Sequence, residues 1–184
     1  MANSKAELIV HPIRLRIIEA LHGRELTSRQ IADSLDDVPQ ATLYRQIKVL
    51  LDGRILSVVS ERLVHGIVEK LYQLSPGAAH LSREDFAQIT AEEHQRYFAI
   101  FLGVLSGSMG RYLRQPSLDV VKDGMTYFNA APFLTDAEAR QMRLDLLELA
   151  SRYGEADLPG RRRHRLAVAF FPDAEPDGSD ADTG

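Results

Sequence analysis

Cysteine is absent from the 184-residue sequence, and no apolar run approaches the roughly 20 residues that span a bilayer. The lack of cysteine excludes disulfides, thiolate metal sites and a cysteine nucleophile. The first residues also lack the apolar core of a signal peptide, so we expect a cytoplasmic protein without membrane segments. An apolar fraction of 45% with 26% charged residues is typical of a globular chain.

Catalytic and metal-binding motifs are missing as well. The sequence has no P-loop glycine pattern, no Gly-x-Ser-x-Gly elbow, and no HExxH or HxH spacing among its six histidines. The glycines between Gly103 and Gly110 do not follow a predicted strand, so they do not form a dinucleotide-binding loop. These absences predict a protein that is not an enzyme and that uses no metal or cofactor.

The net charge of −4 by itself argues mildly against a nucleic-acid-binding protein, because such proteins usually carry a basic patch. The charge is unevenly distributed along the chain. Residues 173–184 carry five acidic side chains, no basic side chain and no large apolar one, which predicts a disordered acidic tail. Removing those five charges from −4 leaves +1 for residues 1–172, so the overall acidity does not exclude DNA as a partner.

Periodicity and capping patterns predict three helices followed by two strands in the first part of the chain. The second helix begins with a capping-box pattern, Thr27 with Gln30 three residues later, and Pro39 fits the first turn of the third helix. The order of elements is that of a winged helix-turn-helix domain. The predicted elements are helices at 11–21, 26–35 and 39–52, strands at 55–59 and 67–74, and a connecting loop at 61–66.

Four segments in this order resemble successive motifs of ArsR-like transcriptional regulators. The resemblance covers about residues 8–76 and implies a winged helix-turn-helix fold that binds DNA. Tyr44 departs from the pattern of that family, which usually has a small polar residue there, so the base contact at this position stays open. The four segments are residues 11–17 (HPIRLRI), 26–32 (LTSRQIA), 41–50 (ATLYRQIKVL) and 66–72 (GIVEKLY).

The third predicted helix has an apolar stripe on one face and polar and basic side chains on the other, at about 100° per residue. Guanidinium, phenol and amide groups on the polar face suit base edges, whereas Thr42 and Lys48 suit phosphates. The alternative is an ordinary solvated helix face. The candidate DNA-binding residues on this helix are Gln40, Thr42, Tyr44, Arg45 and Lys48.

The predicted hairpin loop adds Arg62 and His65, with Lys70 on the returning strand. A cation at the tip of such a wing can lie in the adjacent minor groove. The alternatives are an ordinary exposed turn, and an ion pair between Lys70 and Glu69 or another neighbour in the strand. Because a dimer doubles each basic patch and matches half-sites one helical turn apart, we expect a homodimer on a partly palindromic operator in double-stranded DNA.

The second half of the sequence predicts a small α+β arrangement in the order αββαβ, with an antiparallel sheet. The predicted elements are helices at 82–115 and 135–153 and strands at 120–122, 125–128 and 166–171. The predicted fold class is therefore α+β in three parts. These parts are a winged helix-turn-helix DNA-binding domain at 1–76, a dimerisation and effector domain at 77–172, and the disordered acidic tail at 173–184.

Aromatic residues of the second half form a candidate site for a small apolar effector, although aromatic side chains equally form protein cores. Three explanations stay open for Gly103, Gly107 and Gly110, namely a helix kink, a close contact between helices, or room for a ligand. Three roles stay open for the basic run Arg161–Arg165: a contact with DNA phosphate, an ion pair with the acidic tail, or a position flanking a strand. The candidate effector residues are Phe98, Phe101, Tyr112, Tyr127 and Phe128.

These observations favour a DNA-binding transcriptional regulator, a homodimeric repressor that a small apolar ligand releases. The alternative is a winged-helix module for protein–protein interaction that does not bind DNA. Salt-dependent and sequence-dependent DNA binding separates the two hypotheses.

Overall fold

The computed structural model describes residues 4–64, 66–78, 81–153 and 160–173. The fold is α+β, with one antiparallel sheet in the strand order β1-β3-β2. The chain divides into two compact units, Met1–Leu118 with Glu155–Arg161 and Asp119–Gly154 with Arg162–Gly184. The elements are α1 (Lys5–Ile9), α2 (Pro12–Leu21), β1 (Leu26–Thr27), α3 (Ser28–Ser34), α4 (Gln40–Asp52), β2 (Leu56–Val64), β3 (Ile67–Leu74), α5 (Arg83–Ala87), α6 (Ala91–Leu113) and α7 (Asp136–Arg152).

The three predicted helices of the first unit are confirmed, and their caps explain where they begin. Helix α2 has Pro12 in its first turn, and His11 Nδ1 accepts a hydrogen bond from the backbone N–H of Ile13 at 3.2 Å. In the capping box of α3, Thr27 N–H donates to Gln30 Oε1 at 2.8 Å and Gln30 N–H donates to Thr27 Oγ1 at 3.3 Å. Interactions between residues close in sequence therefore determine where α2 and α3 begin.

The hydrophobic core of the first unit lies between these helices and the sheet. The helices contribute one apolar face each, as their 3.6-residue periodicity predicts, and the sheet contributes Leu26 of β1, Leu56 of β2 and Tyr72 of β3. The largest fully buried side chains are Ile17, Leu21, Ile31, Leu43 and Leu50.

The β-hairpin is longer and its loop tighter than predicted. Strands β2 and β3 pair antiparallel from Leu56 opposite Leu74 to Val64 opposite Ile67, with an irregularity between Val58 and Ser60. The predicted loop at 61–66 is therefore wrong, because most of its residues continue the strand ladder. Gly66, with a φ of +81°, takes the left-handed conformation that a tight turn needs.

The single helix predicted at 82–115 is wrong, because the structure has the short helix α5 and then α6. A new helix begins at Thr90, whose Oγ1 accepts a hydrogen bond from Glu93 N–H at 3.2 Å. Glu93 Oε2 accepts in return from Thr90 N–H at 2.9 Å, which completes a capping box. Helix α6 continues through Gly103, where an added Cβ would meet no atom within 4 Å, so no close helix contact in the chain requires this glycine.

The capping box of α6 provides the first testable prediction. Replacing Thr90 by alanine removes the side-chain acceptor, so we expect the free energy of unfolding to fall by about 1 kcal/mol. Urea denaturation followed by helical circular dichroism measures the change. Thr90→Ser keeps the hydroxyl and serves as the control. An equal loss in both variants would mean that the methyl group of Thr90, rather than its cap, is what stabilises the helix.

The second unit differs from the predicted αββαβ order. Helix α7 is confirmed together with its capping box, in which Glu138 N–H donates to Thr135 Oγ1 at 3.3 Å. The described residues 119–135 and 160–173, however, contain no strand, so the strands predicted at 120–122, 125–128 and 166–171 are wrong. A strand requires a continuous ladder of hydrogen bonds as well as a suitable local sequence, and the backbone hydrogen bond from Met125 N–H to Val120 O closes a turn and does not extend into such a ladder.

None of the described residues of the second unit is buried. Its apolar side chains are accordingly solvent-exposed, Val121 and Phe128 at 87% each. Within the part of the chain that the structure describes, no helix is both long and apolar enough to cross a membrane.

Candidate nucleic-acid interface

The predicted division of helix α4 into two faces is confirmed. Leu43, Ile47 and Leu50 are buried in the core, which leaves the opposite face of the helix in solvent. That face is polar and basic at its centre. Gln40, Ala41, Tyr44, Arg45 and Lys48 are exposed, and Thr42 is half-buried beside them.

Two of the candidate base-contacting side chains contact each other across one turn of α4. Gln40 Nε2 donates a hydrogen bond to the phenolic oxygen of Tyr44 at 3.3 Å. The residue that departs from the pattern of the resembled family is thus hydrogen-bonded to an amide that can pair with adenine. Pro39, the N-cap residue of α4, makes no side-chain hydrogen bond to the N-terminus of the helix.

The two cations on the exposed face of α4 have different surroundings. Lys48 Nζ lies 3.2 Å from Asp52 Oδ2 one turn further along the helix, which partly neutralises its charge. No ion pair joins Arg45 to any residue in the described ranges. His11 is the titratable group that interacts with Arg45, and its pKa is lowered by burial and then by the charges of Arg14 and Arg45. Arg45 therefore keeps its guanidinium available for a polar partner.

The turn between α3 and α4 is tied to α2 by an ion pair. Arg16 Nη1 donates a hydrogen bond to Asp37 Oδ2 at 2.9 Å. This hydrogen bond is the main reason that the pKa of the Asp37 carboxyl lies below its ordinary value. The sequence analysis did not identify this pair, because 21 residues separate its members and no local pattern connects them.

The cations of the hairpin are paired across its two strands. Arg62 Nε donates to Glu69 Oε2 at 2.7 Å, and Lys70 Nζ lies 2.8 Å from Glu61 Oε1. The hydrogen bond with Glu61 raises the pKa of Lys70. The predicted position of Arg62 in the loop is wrong because Arg62 lies within β2. The alternative of an ion pair for Lys70 is confirmed, with Glu61 as its partner, whereas Glu69 pairs with Arg62.

The end of the hairpin is apolar. Leu63 and Ile67 are each 73% exposed, and Val68, opposite Leu63, is also exposed. The predicted contact residue His65 lies outside the described residues. The described part of the wing therefore presents mutually neutralised charges and an apolar end, and no cation that lacks an acidic partner.

Arg29, on the exposed side of α3, is a further candidate that the sequence analysis missed. It forms no ion pair with any residue in the described part of the chain. Arg29 lies in the first turn of the helix that precedes α4, where a cation suits a phosphate of the DNA backbone. The sequence signal that could have identified Arg29 is its position within the capping-box segment at the start of α3.

The candidate effector residues lie in both units. Phe98, Phe101 and Tyr112 belong to α6, where the ring centroids of the two phenylalanines are 6.2 Å apart. Tyr127 and Phe128 belong to the second unit and are exposed, so the alternative that they form its core is wrong. The basic run also contributes one contact within the second unit, because Arg162 Nη1 donates to Asp123 Oδ1 at 2.9 Å.

Metal-binding side chains do not cluster in the part of the chain that the structure describes. No group of three or more histidine, aspartate or glutamate residues there could hold a metal ion.

Two helices joined by a short turn, the second with a buried apolar face and an exposed polar one, define a helix-turn-helix DNA-binding domain. Comparison with known families supports this class, since residues 9–59 match the family described as helix-turn-helix domain. That family is one of DNA-binding regulators and not of enzymes. The match ends within β2, so most of the hairpin lies beyond it. No curated protein matches the chain.

Proposed function

We propose that the protein is a cytoplasmic, homodimeric transcriptional repressor of the ArsR-like winged-helix type. It binds a partly palindromic operator in double-stranded DNA through the exposed face of α4. The observation that carries this proposal is the position of Arg45, an exposed guanidinium without an ion pair among the described residues, on the second helix of a helix-turn-helix domain. The proposed contacts on α4 are Gln40, Thr42, Tyr44, Arg45 and Lys48.

Chemistry assigns a different task to each of these side chains. The guanidinium of Arg45 is suited to donate two hydrogen bonds to guanine O6 and N7 in the major groove. Gln40, held by Tyr44, is suited to adenine, whereas Thr42 and Lys48 suit phosphates. Lys48 must exchange Asp52 for a phosphate, so its net contribution is smaller than that of Arg45.

Homodimer formation is supported by apolar side chains that the single chain leaves exposed. Phe98, Leu102 and Leu113 lie exposed on α6, and the second unit has no buried residue among those described. Apolar surface of this kind marks protein–protein interfaces. A second copy of the chain would cover it and would present two α4 helices to two half-sites.

Repression follows when the bound dimer occludes promoter DNA, and release requires a ligand with higher affinity for the state that does not bind DNA. We propose that this ligand has an apolar body. The aromatic residues of α6, the exposed Phe98 and the half-buried Phe101 and Tyr112, support an apolar contact in this half of the chain.

Selection of DNA from a random library by the full-length protein at defined salt tests the proposal. We expect enrichment of one sequence with partial two-fold symmetry and half-sites about one helical turn apart. Enrichment of a single asymmetric half-site would contradict the homodimer. A library that remains random would contradict DNA recognition altogether.

A protein–protein interaction module is the second candidate function, and the hairpin favours it. The described wing has paired charges and an apolar end with Leu63 and Ile67 exposed, as expected of a surface that binds another protein. Such a module would show no salt-dependent or sequence-dependent affinity for DNA.

The paired charges of the wing lead to a prediction about salt dependence. Glu69→Gln removes the partner of Arg62, so we expect tighter DNA binding and a slope of log affinity against log salt that is steeper by about 1 for each phosphate newly contacted. Fluorescence anisotropy at several salt concentrations measures this slope. Glu148→Gln is the matched control, because Glu148 pairs with Arg152 at 2.7 Å on α7. Equal steepening in both variants would indicate an effect of net charge and not of the wing.

A further inference from the structure

A guanidinium buried beside a cavity is the most unusual polar feature of the first unit. Arg14, in α2, is only 9% exposed, and its Nε is a buried donor without a hydrogen-bond partner. No ion pair joins Arg14 to any other residue that the structure describes. Because burying an unpaired charge is costly, a native protein usually provides such a group with an anion or another acceptor.

The carboxylate of Glu7 does not serve as the hydrogen-bond acceptor of Arg14. Glu7 lies on the same cavity and attracts Arg14 electrostatically, but burial lowers the pKa of Arg14 more than this attraction raises it. Glu7 Oε2 accepts a hydrogen bond from Ser4 N–H at 3.3 Å as part of the capping box of α1. Its carboxylate is thus held at the cap, and the Nε–H of Arg14 remains without an acceptor.

The cavity beside Arg14 has room for a small molecule. It is open to solvent on one side and has a volume of about 290 Å³. A second guanidinium, that of Arg96, lies 5.2 Å from the centre of the Tyr97 ring on the same cavity. The lining combines two guanidiniums and one carboxylate with apolar surface, and consists of Glu7, Val10, Arg14, Arg96, Tyr97 and Ile100.

We propose that this cavity binds a small organic monocarboxylate. The carboxylate group accepts a hydrogen bond from Arg14, and Arg96, which also lies 3.9 Å from Glu93 Oε1, adds a weaker, partly neutralised positive charge. The apolar body of the ligand packs against Val10, Tyr97 and Ile100. An inorganic anion fits less well, because it would leave this apolar surface without contact.

The position of the cavity connects it to the proposed regulation. Its lining comes from the segment of α1 and α2 and from α6, and α2 packs against both α4 and α6. A ligand there contacts α2, which packs against the proposed recognition helix α4, and α6, the helix that we propose to form the dimer. We infer that the carboxylate is the effector; this assignment, unlike the binding site itself, rests on the proposed function.

Calorimetric titration of the full-length protein without DNA tests the site. The probes are hexanoate, benzoate and phenylacetate, each compared with its neutral amide and with inorganic phosphate. We expect at least one carboxylate to bind tenfold or more tightly than its amide and than phosphate. If no carboxylate exceeds its amide, or if phosphate binds as tightly as the carboxylates, the site is not one for an organic carboxylate.

The variant Arg14→Met keeps an unbranched apolar stem and removes the guanidinium group with its charge. We expect it to lose the preference for carboxylate over amide while the unliganded protein stays at least as resistant to urea, since a buried unpaired charge is gone. Arg143→Met, in α7, is the control and keeps the wild-type preference. A preference that survives Arg14→Met would overturn the proposal. A dimer that dissociates in this variant would also overturn it, and would indicate that a carboxylate of the second copy occupies the cavity.

The effector role has its own measurement. We expect the carboxylate that binds to lower the affinity for the selected operator at least fivefold in the wild type, and to leave it unchanged in Arg14→Met. Binding without any effect on DNA affinity would overturn the effector role alone. Because the titrations contain no DNA, a protein that selects no operator would overturn the proposed function and leave the binding site intact.

Discussion

Arg45→Ala is expected to weaken binding to the selected operator by about 5- to 150-fold per half-site, which corresponds to the roughly 1–3 kcal/mol of a bidentate base contact. The reason is the position of Arg45 on the exposed face of α4, where no acidic partner among the described residues competes with a base. Affinity for unrelated DNA should change far less, because phosphate contacts from other residues remain. Anisotropy titrations with operator and with scrambled DNA at the same salt concentration measure both affinities.

The control for this prediction is Arg143→Ala, which removes the same charge from an exposed position on α7. It should leave the ratio of specific to nonspecific affinity unchanged. If Arg45→Ala lowers both affinities by the same factor, Arg45 contacts a phosphate. If neither affinity changes, α4 does not carry the recognition of DNA that we propose.

Leu50→Ala is expected to lower the free energy of unfolding by about 2–5 kcal/mol. Leu50 is 0% exposed and belongs to the core cluster between the helices and the sheet, so its truncation leaves a cavity that close-packed neighbours fill only in part. Such a loss is a large share of the roughly 5–15 kcal/mol that stabilises a typical domain. Urea denaturation measures the change.

Leu63→Ala is the matched control, since the same substitution is made at a side chain that is 73% exposed. Its effect should stay within about 0.5 kcal/mol. A loss as large as that of Leu50→Ala would show that the apolar end of the hairpin is covered in solution. The protein–protein role of the wing would then gain support.

The helices of the first unit could be predicted from the sequence because their determinants are local. Pro12, the Thr27–Gln30 capping box and the apolar stripe of α4 each act within a few residues, and all three appear in the structure. The exposed face of α4 followed from the same periodicity. A helical wheel therefore sufficed to place most candidate DNA contacts, including Arg45, on one surface.

The hairpin and the second unit could not be predicted in the same way, because they depend on partners distant in sequence. Local charge around Arg62 indicated a loop, whereas the pairing of Arg62 with Glu69 continues the strands. The apolar segment 166–171 has strand propensity but pairs with no other strand in the described residues. The burial of Arg14 likewise depends on α6, which lies more than 70 residues further along the chain.

The break between α5 and α6 is a different case, because its signal was local and was overlooked. Thr90 with Glu93 is the same capping pattern that identified α3 and α7. Apolar residues spaced at helical intervals on both sides of Thr90 suggested a continuous helix. A capping box inside a periodic stretch is thus better evidence for two helices than periodicity is for one.

The ion pair between Arg16 and Asp37 holds α2 to the turn between α3 and α4 across the neutral range of pH. The pKa of the Asp37 carboxyl is below its ordinary value, so the stabilisation from this pair is fully present above that ordinary value and is lost only as pH falls through the lowered one. The link between α2 and the turn that leads into α4 therefore keeps its charge attraction throughout the neutral range of pH.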